Sequence, residues 1–496
     1  MFNIHKNQYI LIEDTLDYNC PFDFLKENIV GYTIYYDCNL NISIKKQEQV
    51  EILLLGFILN PFSPNLSNDE ILESLINGVN NNHDILLKEI QKLSGRFVLL
   101  YKSNNSFIVF NDCCGLRQIY FNQEGPFVMS SSPELILSTL GYTFQVDNIL
   151  KDLFNDKQFI KKEFAWYGDS WYDSRIKKVL PNHFLNIYER TIHRIDYFYN
   201  GPDCYDDIID YAKSILRGSL EAIHNRYDNV IQPITAGWDS RILLAASKKL
   251  TNETHYYLFD NSDEKYVDRI VATDLSKKLG FEFMLIQTNP LDAEFLNMFN
   301  KRFAIPRIIY KTSHIQWHFY NSQKLGTITI NGNCTEIVRC YFSWTYNFGK
   351  NGNATIDELT KISGFSNIFK GELLKWISES KRFSDVSGIG NLDLLYWEQR
   401  MGNWGSMYPY EQDIAIEEFS PFNNKNLLYS IFKINFSQRY FPDFKFFRDL
   451  IIHLWSDTLV EPINPILGWS LKLRLKKNLK RSTTISSIVR KFKYTH

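Results

Sequence analysis

The chain has 496 residues, 44% of them hydrophobic and 22% charged, with a formal net charge of −1. This composition excludes global disorder, and the charge balance excludes a whole-molecule electrostatic grip on nucleic acid. The seven cysteines form no CxxC pair, so neither a disulfide framework nor a structural zinc site is suggested, and a reducing cytoplasm fits best.

The length allows two or three domains. The opening MFNIHKNQYI lacks the apolar core of a signal peptide. The longest apolar run, near Ile52–Phe62, is far short of the ~20 residues that span a bilayer. A cytoplasmic protein is therefore expected. The abundance of Asn, Ile and Lys suggests an AT-rich, bacterial genome.

Residues 1 to about 200 read as strand-rich, with Glu51–Ile58, Arg96–Tyr101, Phe107–Phe110 and Phe127–Ser130 as strands. At Tyr199–Asp207 the text becomes YNGPDCYDD, where Gly201 and Pro202 break structure and the acidic pair can start a helix. The main domain boundary is placed there. Next come a helical repeat from Ile208 to Ile223, a strand at Val230–Thr235, a helix at Ser240–Leu250, a strand at His255–Phe259, a helix at Glu264–Leu279 and a strand at Phe281–Gln287. Strands alternating with helices of this length predict βαβ units and a parallel sheet, with the ligand at the carboxyl ends of the strands. From Ile356 onward the chain reads as mostly helical, and the tail Leu471–His496 carries nine Lys or Arg and no acid.

TAGWDSR at Thr235–Arg241 lies at such a strand end. Backbone N–H groups of a short glycine turn, together with a helix N-terminus, make an anion cradle. Thr235 and Ser240 add hydroxyls, and a carboxylate at Asp239 beside phosphates calls for a bridging hard cation such as Mg²⁺. The Walker spacing is absent.

TAGWDSR followed by ILLAA resembles the pyrophosphate-binding SGGxDS loop of the asparagine synthetase-like ATP pyrophosphatases. Further matches follow in the family's order. His255–Phe259, Asp260–Glu264, Asp268 and KKLGFEF resemble the strand and helix that contact the adenosine. Thr327–Asn331 leading into GNCTEIVRCY resembles the GEGxDExxxGY loop, with Gly332 at its start and Glu336 as the second metal carboxylate. Glu417 and SPFNNK resemble ExRxPFLD, and Arg400 in YWEQRMGNW is matched to the DRMSM arginine. In the N-terminal half, Gly95-Arg96-Phe97, Asn111–Arg117, SSSPELIL and LPNHFL resemble segments of class II glutamine amidotransferase domains.

The resemblance implies an Ntn-type αββα sandwich at 1–203, followed at 204–496 by a Rossmann-like PP-loop ATP-pyrophosphatase domain with a helical C-terminal part and a basic tail from about 470. The layout is similar to that of the β-lactam synthetases and lasso-peptide cyclases. It implies an ATP-dependent ligase that adenylates a carboxylate, releasing pyrophosphate, for attack by an amine. ATP and Mg²⁺ are the cofactors implied. Asp239, Glu336, Arg400 and Glu417 are the catalytic candidates, with Asp239 and Glu336 on the metal. Thr235, Ala236, Gly237, Trp238, Asp239, Ser240, Arg241, Phe259, Asp268 and Gly332 are the nucleotide-binding candidates.

Three departures from the family pattern matter. The family's nucleophilic Cys at position 2 is Phe2, so glutamine hydrolysis is expected to be lost. The GEG glutamate is Asn333, and the late segment where the family has a lysine reads Pro462-Ile463-Asn464-Pro465. These departures keep open a second reading, a degenerate nucleotide- or partner-binding module. The expected substrates are an acid-bearing small molecule, saccharide or peptide plus an amine, without nucleic acid. A homodimer and peripheral membrane contact through the tail are further expectations. His314 and His318 share a helical face, but no third ligand is at hand, so packing is the expected role.

Overall fold

The computed structural model describes residues 3–79, 82–146, 148–260, 266–305, 311–321, 326–348, 351–363 and 366–465. Phe2, the stretch from 261 to 264 and the basic tail lie outside the described residues.

The N-terminal half carries β1 (Tyr9–Glu13), β2 (Leu25–Ile29), β3 (Tyr32–Tyr36), β4 (Ile42–Gln47), β5 (Val50–Leu59), β6 (Ser94–Lys102), β7 (Phe107–Asn111), β8 (Tyr120–Asn122), β9 (Val128–Ser130), β10 (Ile176–Lys178), β11 (His183–Asn186) and β12 (Thr191–Arg194). They form two six-stranded sheets, ordered β10-β8-β9-β1-β3-β2 and β12-β11-β7-β6-β5-β4. Strand β5 shows why they stack. Its side chains alternate between faces. Leu53 and Leu55 enter the core between the sheets with Tyr9, Leu11, Val98 and Leu100. Ile52, Leu54 and Ile58 face the helices Asn68–Gly78 and His83–Glu89. Both faces are covered, so the whole strand reads as one apolar run. The first of those helices opens on a capping box, Ser67 with Glu70. On the far side, Ile10 and Ile12 pack under the helix Pro133–Thr139. The result is a four-layer αββα sandwich.

The C-terminal half is built on β13 (Asn229–Pro233), β14 (Thr254–Phe259), β15 (Phe283–Ile286), β16 (Thr327–Ile330) and β17 (Glu417–Phe419). Their order is β15-β14-β13-β16-β17, and every pairing is parallel. Order and pairing give a Rossmann-like α/β sheet, with helices at Tyr205–His224, Trp238–Ala246 and Tyr266–Leu279. The remainder is largely helical, including Ser366–Ser387, a π-helical stretch Tyr396–Gly405, Lys425–Lys433 and Lys445–Trp455. The three-residue β17 was not expected from the sequence; it is a strand because it pairs with β16.

The two halves share one core. Phe57 and Leu59 of the sandwich pack with residues of the parallel-sheet half, and Phe57 meets Phe419 and Tyr227 edge-on. At Gly218 the helix Tyr205–His224 lies so close to Pro61 that an added Cβ would stand 1.8 Å from the Pro61 carbonyl oxygen.

A candidate nucleotide site at the end of the parallel sheet

Strand β13 runs through Ile234 into Thr235-Ala236-Gly237, and Gly237 caps the helix Trp238–Ala246 in extended conformation. The turn is held from within. The Thr235 N–H donates to Ser240 Oγ at 3.0 Å, and the Gly237 N–H donates to Thr235 Oγ1 at 3.1 Å. The Ala236 N–H donates to Asp268 Oδ1 at 2.7 Å. Asp268 therefore positions the loop. Because the turn's own donors and hydroxyls are engaged, the anion-facing donors are the N–H groups of Trp238, Asp239 and Ser240. The first bond of the helix is made by the Arg241 N–H to the Gly237 carbonyl, which leaves those three without an intrahelical partner.

Arg241, expected to support phosphates, does something else. Its guanidinium is buried and donates to the carbonyls of Thr458 at 2.6 Å, Glu461 at 2.7 Å and Pro462 at 3.3 Å. It ties the late Pro462–Pro465 segment to the loop, and the Asn464 N–H donates to the Ala236 carbonyl at 2.9 Å.

Gly332, at the end of β16, acts sterically. A Cβ there would stand 2.5 Å from the Asp239 Cβ, so only glycine lets this strand end approach the helix. The 3₁₀ stretch Asn333–Val338 follows. Asn333 donates to the Gly405 carbonyl at 2.8 Å, a bond an ionised glutamate could not make. Glu336 accepts from the Tyr396 hydroxyl at 2.5 Å, and burial beside Glu336 holds that phenol protonated.

The two carboxylates expected to hold a metal, Asp239 and Glu336, are brought together. Between them lies Arg339, whose Nη2 is 3.1 Å from Asp239 Oδ1 and 3.2 Å from Glu336 Oε1. Asp239 Oδ1 is buried and receives no aligned hydrogen bond. Burial raises the Asp239 carboxyl to about 6, with Arg339 opposing the rise and Glu336 adding to it. Two carboxylates thus face one arginine. The oxygen donors and their uncancelled charge fit a hard divalent cation.

These groups wall a cavity of about 770 Å³ together with Gly237, Trp238, Trp344 and Phe441. Trp238 is buried edge-on against Phe444, so it both walls the cavity and packs beneath it. Arg448, on the helix Lys445–Trp455, reaches the same cavity. Sequence reasoning missed Tyr396, Trp344 and Phe441. Only Tyr396 left a trace, one helical turn before Arg400.

Other expected residues are engaged with neighbours of their own. Arg400 stacks on Trp404 at 3.8 Å, and its charge opposes the rise that burial imposes on the Tyr396 phenol. Phe259, expected at the adenosine, is buried and stacked on His314 at 4.0 Å. His318 packs beside it and stays neutral, its pKa lowered to about 3 by burial. No group of three or more metal-binding side chains occurs among the described residues.

Glu417 is a clear correction. It pairs in register with Ile328 near the start of β16, whereas the loop lies at the strands' other end. Its carboxylate is held by Arg96 at 2.8 Å and Arg117 at 2.9 Å. A second cavity of about 800 Å³ opens there, but its cations are already engaged. Lys6 donates to the Ala415 carbonyl, Arg117 to Glu417 and Arg226 to Asn68.

No family model and no curated protein matches this chain. Among solved structures it is similar to the glutamine phosphoribosylpyrophosphate amidotransferase from B. subtilis complexed with ADP and GMP, at 10% identity and a TM-score of 0.24, over 68% of this chain and 72% of that one. It is also similar to NMN synthetase from Francisella tularensis, at 13% identity and a TM-score of 0.22, over 42% and 96%. A third is the glutamine-dependent NAD+ synthetase from Acinetobacter baumannii in complex with ADP, at 10% identity and a TM-score of 0.16, over 62% and 84%. Likeness this remote bears on neither activity nor ligand.

Proposed function

We propose that the chain is an ATP-dependent carbon–nitrogen ligase of the asparagine synthetase-like kind. Residues 1–203 would be a degenerate amidotransferase-like domain and 204–496 the ATP-pyrophosphatase domain. The observation that carries this reading is the meeting of a helix N-terminus, Asp239 and Glu336 on one cavity. A substrate carboxylate oxygen attacks the α-phosphorus of ATP, the bond to the β-phosphate oxygen breaks, and pyrophosphate leaves. An amine nitrogen then attacks the acyl carbon, AMP departs with the former carboxylate oxygen, and the nitrogen loses a proton. The first-turn N–H groups bind the pyrophosphate oxygens. Asp239 and Glu336 would hold Mg²⁺, which when bound spreads the charge developing on the leaving group. Asp268 and Thr235 keep the loop in shape, and the cavity holds acid and nucleotide together. In this reading the nitrogen is supplied by an amine substrate.

The decisive experiment is exchange of label between pyrophosphate and ATP, run with glucuronate, glutamate and a peptide acid. Asp239→Ala should abolish exchange that depends on the acid; exchange at the wild-type rate in the variant overturns the reading. The engagement of Asn333 with Gly405 favours a second reading, a nucleotide-binding module without turnover. ATP binding with no exchange for any acid would select it.

A further inference from the structure

The cations at the cavity can be counted group by group. Arg241 is spent on three backbone carbonyls. The segment Pro462-Ile463-Asn464-Pro465 carries no cation. Arg448 is exposed on the rim. The remaining cation on the cavity wall is Arg339, only 9% exposed and flanked by the ring of Phe444, 5.9 Å from its guanidinium carbon.

Arg339 meets its carboxylates at longer range than the other described arginine ion pairs, which lie at 2.6–2.9 Å. One nitrogen, Nη2, serves both acids, at 3.1–3.2 Å. Where arginine and carboxylate form a closed pair, as Arg96 with Asp413, two nitrogens take two oxygens at 2.6 and 2.7 Å. Among the described residues the buried Arg339 Nε–H has no acceptor and Nη1 has no protein partner. Guanidinium has five N–H donors, so most of this one's capacity is unspent. A buried donor without an acceptor is costly unless a ligand supplies one.

We propose that Arg339 is the pyrophosphate-binding cation of this cavity, resting against Asp239 and Glu336 and turning its free N–H groups to phosphate oxygens when a nucleotide enters. This rests on the ligase reading above and deepens it, because it names the residue that carries the positive charge the late segment lacks. Asp239 stands in the first turn of the helix whose free N–H groups would face the anion. A guanidinium touching Asp239 is therefore placed beside the same phosphates.

The test is equilibrium titration of the full chain with inorganic pyrophosphate, ATP and AMP, with a thermal melt of each variant. Arg339→Met should weaken pyrophosphate ~10-fold or more, the range of a charged hydrogen bond or two, and change AMP less than about twofold. Arg339→Lys should recover part of the loss. Removing Arg339 also exposes two acids, so the double variant Glu336→Gln/Arg339→Met separates the causes. Affinity still lost in the double variant supports a direct contact. Affinity restored there means Arg339 only cancels charge and overturns the proposal. Pyrophosphate affinity unchanged in Arg339→Met, with ATP still bound by the wild type, overturns Arg339 alone. A wild type that binds neither ATP nor pyrophosphate overturns the ligase reading with it.

Discussion

Two clusters of arginine and carboxylate stand at opposite ends of the parallel sheet, and they are built on different principles. At the junction with the sandwich, Arg96 forks onto Asp413 and also reaches Glu417, while Arg117 holds both oxygens of Glu417. Two cations meet two anions, and Arg96 is fully buried. At the loop, one arginine touches two carboxylates through one nitrogen, on the wall of a cavity. The first cluster is closed in charge, and its contacts are tight, at 2.6–3.0 Å. The second is open in charge, and its contacts are longer. Residue types alone do not separate a structural ion cluster from a binding one; stoichiometry and bond geometry do.

The largest expected effect comes from breaking the closed cluster. Arg96→Met leaves Asp413 buried without its fork and should cost ~3–5 kcal/mol of unfolding free energy, measured by denaturant titration. If the clusters differ as described, the variant's remaining folded fraction binds pyrophosphate with wild-type affinity, because Arg96 lies at the far end of the sheet. A loss of nucleotide affinity matching the loss of stability would merge the two clusters into one functional unit.

Lys425 sharpens the contrast as a buried charge in no ion pair among the described residues. Its Nζ has no hydrogen-bond partner among the described residues and lies 5.8 Å from the rings of Trp397 and Tyr429. Burial lowers its pKa from 10.5 to about 8, with Cys113, Glu398 and Asp196 pulling the other way. Below pH 8 both folded and unfolded chains carry the proton, and the folded chain bears the full cost of the buried charge. Between about pH 8 and 10.5 the unfolded chain binds a proton that the folded chain has released, so stability rises with pH. Lys425→Met should therefore stabilise the protein by about 2 kcal/mol at pH 7, with the advantage shrinking toward pH 10. A destabilised variant at pH 7 would show that the ring contacts outweigh the desolvation.

The same contrast explains what was legible in the sequence. Strand β5 was legible because both its faces are apolar, and the turn Thr235–Gly237 because its glycine and hydroxyls bond within six residues. The Asp239 and Glu336 pair was legible through motif order. Arg339 lies three residues from Glu336, near enough along the chain to pair with it, but its unspent donors leave no trace in the sequence. Arg241 was misread because its partners lie 217 to 221 residues away and only the tertiary fold brings them near. Glu417 was misread for a related reason. Motif spacing fixes neighbours along the chain, but parallel register sets which end of the sheet a residue occupies, and β17 is too short and acidic to announce itself.

The smallest expected effect belongs to Arg448, and it tests whether depth or mere sign of charge governs the open cluster. Arg448 reaches the same cavity as Arg339 but stands exposed on its rim. An exposed charge acts through water and is screened within ~8–10 Å at physiological salt. Arg448→Ala should raise the pyrophosphate dissociation constant about two- to threefold at low salt, with the difference vanishing near 0.5 M salt. Its stability should stay within ~0.5 kcal/mol of wild type. Arg339→Met should by contrast keep most of its deficit at high salt, because a desolvated guanidinium is screened far less. Equal, salt-sensitive losses in both variants would mean that the cavity attracts anions by its general field. Unequal losses, with only the deeper one surviving salt, would mean that one buried nitrogen fork reads the phosphate.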